Sequence, residues 1–326
     1  MNTSSTPPIN SHPWDLARMP NYAQAQALPL EVAESLTPQR FQREYVARNR
    51  PCLIKGAVTH WPAFSRWASI EHLKGSTRNE VIAARSAPIW EFPDPGNPLQ
   101  EEIDRRNQGL FEELPFHEFL DRAFHRPGQL VVHSAPLHAD SPFGGLLRDL
   151  GGYAFAPQIG CGRAYVPMRA FFYRESYTDW HFHPADETLM TQVVGAKEVL
   201  LLPPNEPSWD ALQPVAESRG YLYDIDLEQF PAVAGLVPYR ALVEAGDALY
   251  IPVYWWHAVA SADAEFGVTV ASTFPSPLHV AGDMRFPFAR RLFRGLLRSR
   301  HAPLALGAVA YAYLYRLMAL RPGLPA

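Results

Sequence analysis

The chain is poor in cysteine and in lysine. Its 326 residues hold two cysteines, Cys52 and Cys161, and three lysines, Lys55, Lys74 and Lys197, against 26 arginines. Two cysteines cannot build a disulfide framework or a cysteine-based zinc site, and they read as small buried side chains in a reducing compartment. A strong charge of either sign is also missing. The formal net charge is -4, which argues against a dedicated nucleic-acid binder. The longest apolar run, Pro303 to Tyr315, is too short to span a bilayer. At the start, MNTSSTPPINSHPWDLARMP has no basic stretch leading into an apolar one, so no signal peptide is expected. The expectation is a soluble, cytoplasmic protein without a membrane span.

What the sequence does have is apolar mass and proline. Apolar residues make up 47% and aromatic residues 12%, too much for wholesale disorder. The 32 prolines argue against a helical bundle and for a turn-rich β body. Residues 1–36 read as a partly flexible N-terminal arm, residues 37–280 as the main domain and residues 281–326 as a basic helical extension. Within the domain, PQRFQREYVARN predicts a helix on the spacing of Phe41, Tyr45 and Val46, followed by a strand at PCLIKGAV. A proline-rich loop (EFPDPGNP) and an acidic helix around FEELPFHEFLDRAF come next. From about 129 to 275, runs such as QLVVHSA, RAFFYRES, KEVLLLPP, DALYIPV and GVTVAST alternate with turn residues, the mark of an all-β sandwich or barrel.

After Asp283 the chain carries eight arginines and no acid, in two expected helices, FARRLFRGLLRS and LALGAVAYAYLYRLMAL. Their apolar faces, at Phe288, Leu292 and Leu296 and then at Val309, Tyr313 and Leu317, require a partner. The β body, a second subunit or an anionic partner would each serve.

One segment carries recognisable chemistry. In YTDWHFHPADETLMTQVVGAKEVLLLPP, His181 and His183 lie two residues apart on an expected strand, so period two puts both imidazoles on one face. Glu187 follows a Pro-Ala-Asp turn and can return a carboxylate to the same point. A third histidine, His257, projects from the end of GDALYIPVYWWHAV. Two neighbouring ligands plus one from a distant antiparallel strand make a metal site at a barrel mouth with open coordination positions. Neutral imidazoles with a carboxylate suit Fe(II), and also Mn, Ni, Cu or Zn.

These motifs resemble the JmjC-type, cupin-like Fe(II)/2-oxoglutarate oxygenases, in the branch that contains the asparaginyl hydroxylases. The resemblance rests on RPCLIKGAVTHWPAFSRW, on T-x2-H-x-H-x3-E-x4-Q-x2-G-x-K from Thr178 to Lys197, on LLLPP and on GDALYIPVYWWH. It implies a mainly β double-stranded β-helix, the cupin/JmjC jelly roll, with flanking helices at both ends. It implies that His181 and His257 bind iron, and that Lys197 and Thr178 hold the distal carboxylate of 2-oxoglutarate. A buried ammonium needs an anion, and a dicarboxylate offers one end to lysine and the other to the metal. Tyr254, Trp255 and Trp256 would wall the pocket or simply pack in the core. Dimerisation through the C-terminal helices is a further implication.

The sequence departs from that family at three points. Where the family has Asp or Glu, this chain has His183, and Glu187 is the residue that could restore a carboxylate. One extra residue between Glu187 and Gln192 suggests a bulge. Thr273 stands where the asparaginyl hydroxylases carry an asparagine near the cosubstrate. Three functions follow. The first is an Fe(II)/2-oxoglutarate hydroxylase acting on an unknown peptide or small molecule, releasing succinate and CO2. The second is a cupin-type metalloenzyme using His181, His183, Glu187 and His257 without a keto acid. The third is a non-catalytic module of the same fold. The loop from Asn205 to Tyr239, with Trp209, Tyr221, Tyr223 and Phe230, is expected to cover the pocket.

Overall fold

Runs of β-branched and aromatic residues pair into two sheets. The computed structural model describes residues 15–85, 111–126, 131–156, 167–184, 186–218, 225–278 and 283–320. Cys161, Tyr221, Tyr223 and the EFPDPGNP loop lie outside the described residues. In the smaller sheet the strands run in the order β1 (Gln26–Ala27), β11 (Tyr239–Val243), β10 (Lys197–Leu202), β13 (Trp256–Ser261) and β8 (Tyr177–His181). The larger sheet has the order β2 (Leu30–Val32), β3 (Cys52–Lys55), β12 (Ala248–Ile251), β9 (Glu187–Val194), β14 (Phe266–Phe274), β7 (Met168–Arg174), β6 (Val131–Pro136), β4 (Val81–Arg85) and β5 (Phe111–Pro115). This is the mainly β jelly roll that the family resemblance implies.

The registers place the motif residues. β10 pairs with β13 so that Leu201 faces His257, and β13 pairs with β8 so that His257 faces His181. In the larger sheet β9 lies between β12 and β14. The pairing of β9 with β14 shifts at Val193, since Val268 faces Val194 while Thr269 faces Gln192. The expected bulge is therefore present one residue beyond the place assigned to it. Glu187 to Gln192 pair without interruption, and the extra residue is absorbed before the turn at Gly195, whose φ is +76°.

Apolar faces outside the sheets fix the helices. Helix Phe116–His125 buries Phe116, Phe119 and Leu120 against Phe143 and Phe172, with the Phe116 ring edge-on to both. Each such ring contributes about 1.5–3 kcal/mol by burial. The expected acidic helix thus begins only at Phe116, because Phe111–Pro115 pairs with β4 as an edge strand.

Two expectations need correction, and one helix is longer than the apolar run read from the sequence. Residues 15–36, assigned to a partly flexible arm, belong to the fold. β1 pairs in parallel with β11, β2 pairs in parallel with β3, and Leu16 and Met19 are buried. Among the described residues, the segment Asn205–Tyr239 contributes nothing to the lining of the histidine cavity. Its helix Glu206–Glu217 sets Ala211, Leu212 and Val215 against Leu200, Leu202 and Trp256, on the outer face of the smaller sheet. Finally, helix Ala302–Ala319, with a mean hydropathy of 1.2, is long and apolar enough to cross a membrane by length and composition. It exceeds the apolar run read from the sequence because it continues past Arg316.

Candidate metal and 2-oxoglutarate site

Strand pairing brings the three histidines together. His181 ends β8 and His257 lies opposite it on β13, with ring centroids 4.1 Å apart. His183, two residues beyond, has its ring 5.2 Å from that of His181 and 4.9 Å from that of His257. One ring nitrogen of each lies within 4.8 Å of the others, a spacing that can hold a metal ion.

The surroundings orient these rings. His181 Nδ1 donates to the Asp179 carbonyl at 2.8 Å and His257 Nδ1 donates to the Trp255 carbonyl at 2.9 Å. A carbonyl only accepts, so Nδ1 carries the proton in both rings and Nε2 carries the lone pair a metal requires. His183 Nδ1 is 2.8 Å from Thr188 Oγ1. The Tyr254 N–H donates to the His183 carbonyl at 2.9 Å, which ties the ligand loop to the β12–β13 connection. Burial pushes all three imidazoles toward the neutral form, His183 to about 3. Neutral imidazoles are the ligating form.

Glu187 does not join them, which corrects the expectation that it restores a carboxylate to the metal. Side chains on β9 alternate between the two faces of the sheet. Thr188 lines the cavity beside His183, so Glu187 faces the opposite side. There its carboxylate accepts from the Tyr250 hydroxyl at 2.8 Å, the Val253 N–H at 3.0 Å and the Ser276 hydroxyl at 2.5 Å. It is fully buried, and desolvation raises its pKa to about 7 against those three donors.

A cavity of about 500 Å³ opens from the histidines toward β4, β6 and β7. Lys197 and Thr178 both line it. The turn at Gly195 delivers Lys197 to the first position of β10. Its ammonium donates to the Ser176 hydroxyl at 2.5 Å and sits 3.8 Å over the Tyr173 ring. The close seat of that ring requires Gly267, where a Cβ would fall 2.2 Å from the Tyr173 ring carbon bearing the hydroxyl. Burial, and then the nearby Arg85, push the Lys197 pKa down to about 7. Arg85 and Arg169 also line the cavity, and no Asp or Glu does among the described residues. The lining is therefore built to take an anion.

The aromatic wall is on the other side. Tyr254 and Trp256 line a separate small apolar recess with Phe182, Trp209 and Phe288, rather than the histidine cavity. Trp255 packs edge-on to Tyr239 and donates through Nε1 to Asn49. Alternation along β13 decides this, since His257 faces the cavity and Trp256 the opposite side. Core packing therefore accounts for these residues. Thr273 pairs with Thr188 across the sheet and shares a face with Thr269 and Ala271, which line the cavity. Its hydroxyl is buried without a hydrogen-bond partner among the described residues, a polar contact point at the histidine end.

The G-D turn before β12 has a structural role. Asp247 pairs with Lys55 at 2.5 Å and accepts from the Gly56 N–H at 3.1 Å, fastening β12 to β3.

A family model described as "Cupin-like domain" matches residues 38–278. The chain belongs to the cupin-like domain family. Among similar proteins is the human "bifunctional peptidase and (3S)-lysyl hydroxylase JMJD7", 27% identical over 75% of this chain and 85% of its own length. The mouse "tRNA wybutosine-synthesizing protein 5" is 31% identical over 75% of this chain and 77% of its own. The Arabidopsis thaliana "lysine-specific demethylase JMJ30" is 25% identical over 74% of this chain, which spans only 54% of that relative. These matches put this cupin-like chain among the JmjC-type oxygenases.

The motifs pointed to the histidines, Thr178 and Lys197. Arg85, Arg169, Tyr173 and Ser176 were missed. Each sits in a strand-like run (VIAAR, PMRAFFYRES) whose inward face is not readable until the sheets are paired.

Proposed function

We propose that this chain is an Fe(II)/2-oxoglutarate-dependent hydroxylase in which His181, His183 and His257 hold the iron. Lys197 and Thr178, with Ser176, take the distal carboxylate of 2-oxoglutarate. When bound, iron and the keto acid would activate O2, which is the oxidant: one oxygen atom would enter succinate as CO2 leaves, and the other would go onto a substrate C–H bond. The protein's own part is to fix three neutral imidazoles by their Nδ1 atoms and to exclude bulk water from a half-enclosed cavity. It also neutralises a dicarboxylate with a desolvated ammonium. The observation that carries this reading is Lys197, fully desolvated inside the histidine cavity, where a charged ammonium is costly until an anion joins it.

The donor set fits iron, though three neutral imidazoles give the metal one negative charge fewer than the usual two-histidine, one-carboxylate set. Such a site holds Fe(II) more weakly and admits other divalent metals more readily. Substrate chemistry follows from the cavity's far end. Arg169 stands four residues before Tyr173 on β7, about 13 Å along the strand from the Lys197 seat. With Arg169 there and no lining carboxylate, the cavity disfavours a lysyl ammonium and favours a neutral or acidic group of a peptide or small molecule. The test is turnover of 2-oxoglutarate by the iron-loaded protein, followed by a screen of acidic, neutral and lysyl peptides for a one-oxygen mass gain. Succinate release and a gain confined to acidic or neutral peptides support the reading. Absence of succinate release under all conditions rejects it.

A further inference from the structure

The histidine cavity holds a cation that the cosubstrate seat does not include. Arg169 lines the cavity from β7, and its guanidinium donates to the Ser134 hydroxyl on β6 at 2.9 Å. No carboxylate pairs with it among the described residues, and burial pulls its pKa below the usual arginine value. Arg122, Arg174 and Arg316 are also largely buried, yet each meets an acid, Arg122 at Glu112, Arg174 at Glu265 and Arg316 at Asp283. A guanidinium drawn out of water without an anion costs free energy that an anionic ligand recovers.

Register separates this arginine from the Lys197 seat. Along the cavity face of β7 the order is Arg169, Phe171 and Tyr173. Tyr173 is the platform beneath Lys197, and the apolar Phe171 stands between that platform and Arg169. Across the sheet, Arg169 pairs with Ala271 and Ala271 pairs with Met190. Met190 lies two residues along β9 from Thr188, whose hydroxyl meets His183. The Arg169–Ala271–Met190 row is therefore next to the row at the histidines. Ala271, in the middle of it, carries only a methyl group and leaves the cavity open above it.

Ser134 makes the arginine a seat rather than a lone charge. Its oxygen accepts from Arg169, so its own proton is left to donate to the same anion beside the guanidinium. One guanidinium and one hydroxyl match the two oxygens of a carboxylate. The charge balance agrees. A divalent metal on neutral imidazoles, Lys197 and Arg169 together bring four positive charges, and a dicarboxylate cosubstrate answers two of them. We propose that Arg169 and Ser134 form a second anion seat in the cavity, which takes a carboxylate carried by the substrate. That the ligand is the substrate rests on the oxygenase reading. The seat itself rests on the strand register and on the surroundings of Arg169. An aspartyl or glutamyl side chain and a free chain end offer the same chemistry to it.

The test is calorimetric titration of the full chain loaded with Fe(II) and 2-oxoglutarate, with O2 excluded. The probes are end-blocked peptides Ala-Ala-X-Ala-Ala with Asp, Glu, Asn or Lys at X, and Ala-Ala-Ala with a free C-terminal carboxylate against its amide. Acidic probes should bind about tenfold more tightly than their neutral partners, the worth of one charge-assisted contact. Which acidic probe shows the difference tells a side-chain carboxylate from a chain end. Arg169→Gln should erase the preference, Arg169→Lys should keep part of it, and Arg169→Glu should transfer it to the Lys peptide. Ser134→Ala should narrow it by about threefold. Arg169→Gln should keep its metal content and its affinity for 2-oxoglutarate. Equal binding of acidic and neutral probes would overturn the proposal, as would a preference that survives Arg169→Gln. A loss of 2-oxoglutarate affinity in Arg169→Gln would also overturn it, by assigning Arg169 to the cosubstrate. An Arg169-dependent preference without succinate release in O2 would keep the seat and reject the oxygenase reading.

Discussion

His183 Nδ1 and Thr188 Oγ1 meet at 2.8 Å, across the turn that joins β8 to β9. This contact marks which side of β9 faces the histidines, a side fixed by the pairing of β9 between β12 and β14. With Thr188 turned toward the histidines, its neighbour Glu187 must face the other side of the sheet, and the metal is left with imidazoles alone.

Glu187 therefore tests the ligand set. Glu187→Gln should leave metal stoichiometry unchanged by elemental analysis. A loss of metal would return Glu187 to the ligand set. Its stability signature differs from that of a ligand. The folded-state pKa is raised to about 7 from 4.5, so the folded protein binds the proton more tightly than the unfolded chain. Stability from this group is greatest below pH 4.5 and falls as pH rises toward 7, by about 3 kcal/mol in all. The buried histidines act in the opposite direction, so the readout is the difference in urea stability between the metal-free wild type and Glu187→Gln, which should shrink as pH rises across that range.

His257→Ala should abolish metal binding, since it removes the ligand that faces His181 across the β8–β13 pair. His183→Asp should retain the ion and bind Fe(II) more tightly, because a carboxylate adds the negative charge that the three imidazoles lack. Equilibrium dialysis with Fe(II) and Zn(II) measures both. Unchanged metal content in His257→Ala would remove it from the site.

Lys197→Ala should abolish 2-oxoglutarate-dependent succinate release while metal content stays intact. The intact lysine has a pH signature as well. Its pKa in the empty cavity is pushed down to about 7, so the ammonium that pairs with the carboxylate is lost as pH rises. Affinity for 2-oxoglutarate should therefore fall above pH 7, by up to about tenfold per pH unit. Calorimetric titration of the metal-loaded protein at several pH values reads this. A flat profile together with unchanged affinity in Lys197→Ala would mean that Lys197 does not bind the cosubstrate.

Gly267→Ala should displace Tyr173, because the added Cβ would lie 2.2 Å from its ring. A cost of about 1–3 kcal/mol is expected from overpacking at a close-packed position. The Tyr173 ring is the platform beneath Lys197, so 2-oxoglutarate affinity should weaken in the same variant while metal content is kept. Stability unchanged in thermal unfolding would show that the ring has room to move.

Much of the site was legible because metal and cosubstrate chemistry restricts residue type at short range. H-x-H on a strand, a histidine after G-D-x4-P, and a lone lysine in G-x-K are local patterns. Through the family resemblance they carry, they pointed to the jelly roll and to His181, His183, His257, Thr178 and Lys197 as candidate site residues. The side chosen by each neighbouring residue was not legible. Glu187 looked like a ligand because it is four residues from His183, yet pairing of β9 between β12 and β14 turns it into the core. Trp256 and Tyr254 looked like cavity walls because they neighbour His257, yet alternation on β13 turns Trp256 away from the histidines, and Tyr254, in the turn before β13, lines the same separate recess. Arg85 and Arg169 looked like ordinary strand residues until β4, β6 and β7 extended the larger sheet over the barrel mouth. The composition of the last two helices, eight arginines without an acid, was plain from the sequence. That the last helix buries Ala305 and Ala312 and presents Leu304, Leu306, Leu314 and Leu317 to solvent was decided only by packing on the domain. Sequence fixes which side chains exist and their local period. Which face is inside depends on strand register and helix docking, and those are set by contacts between residues far apart in the chain.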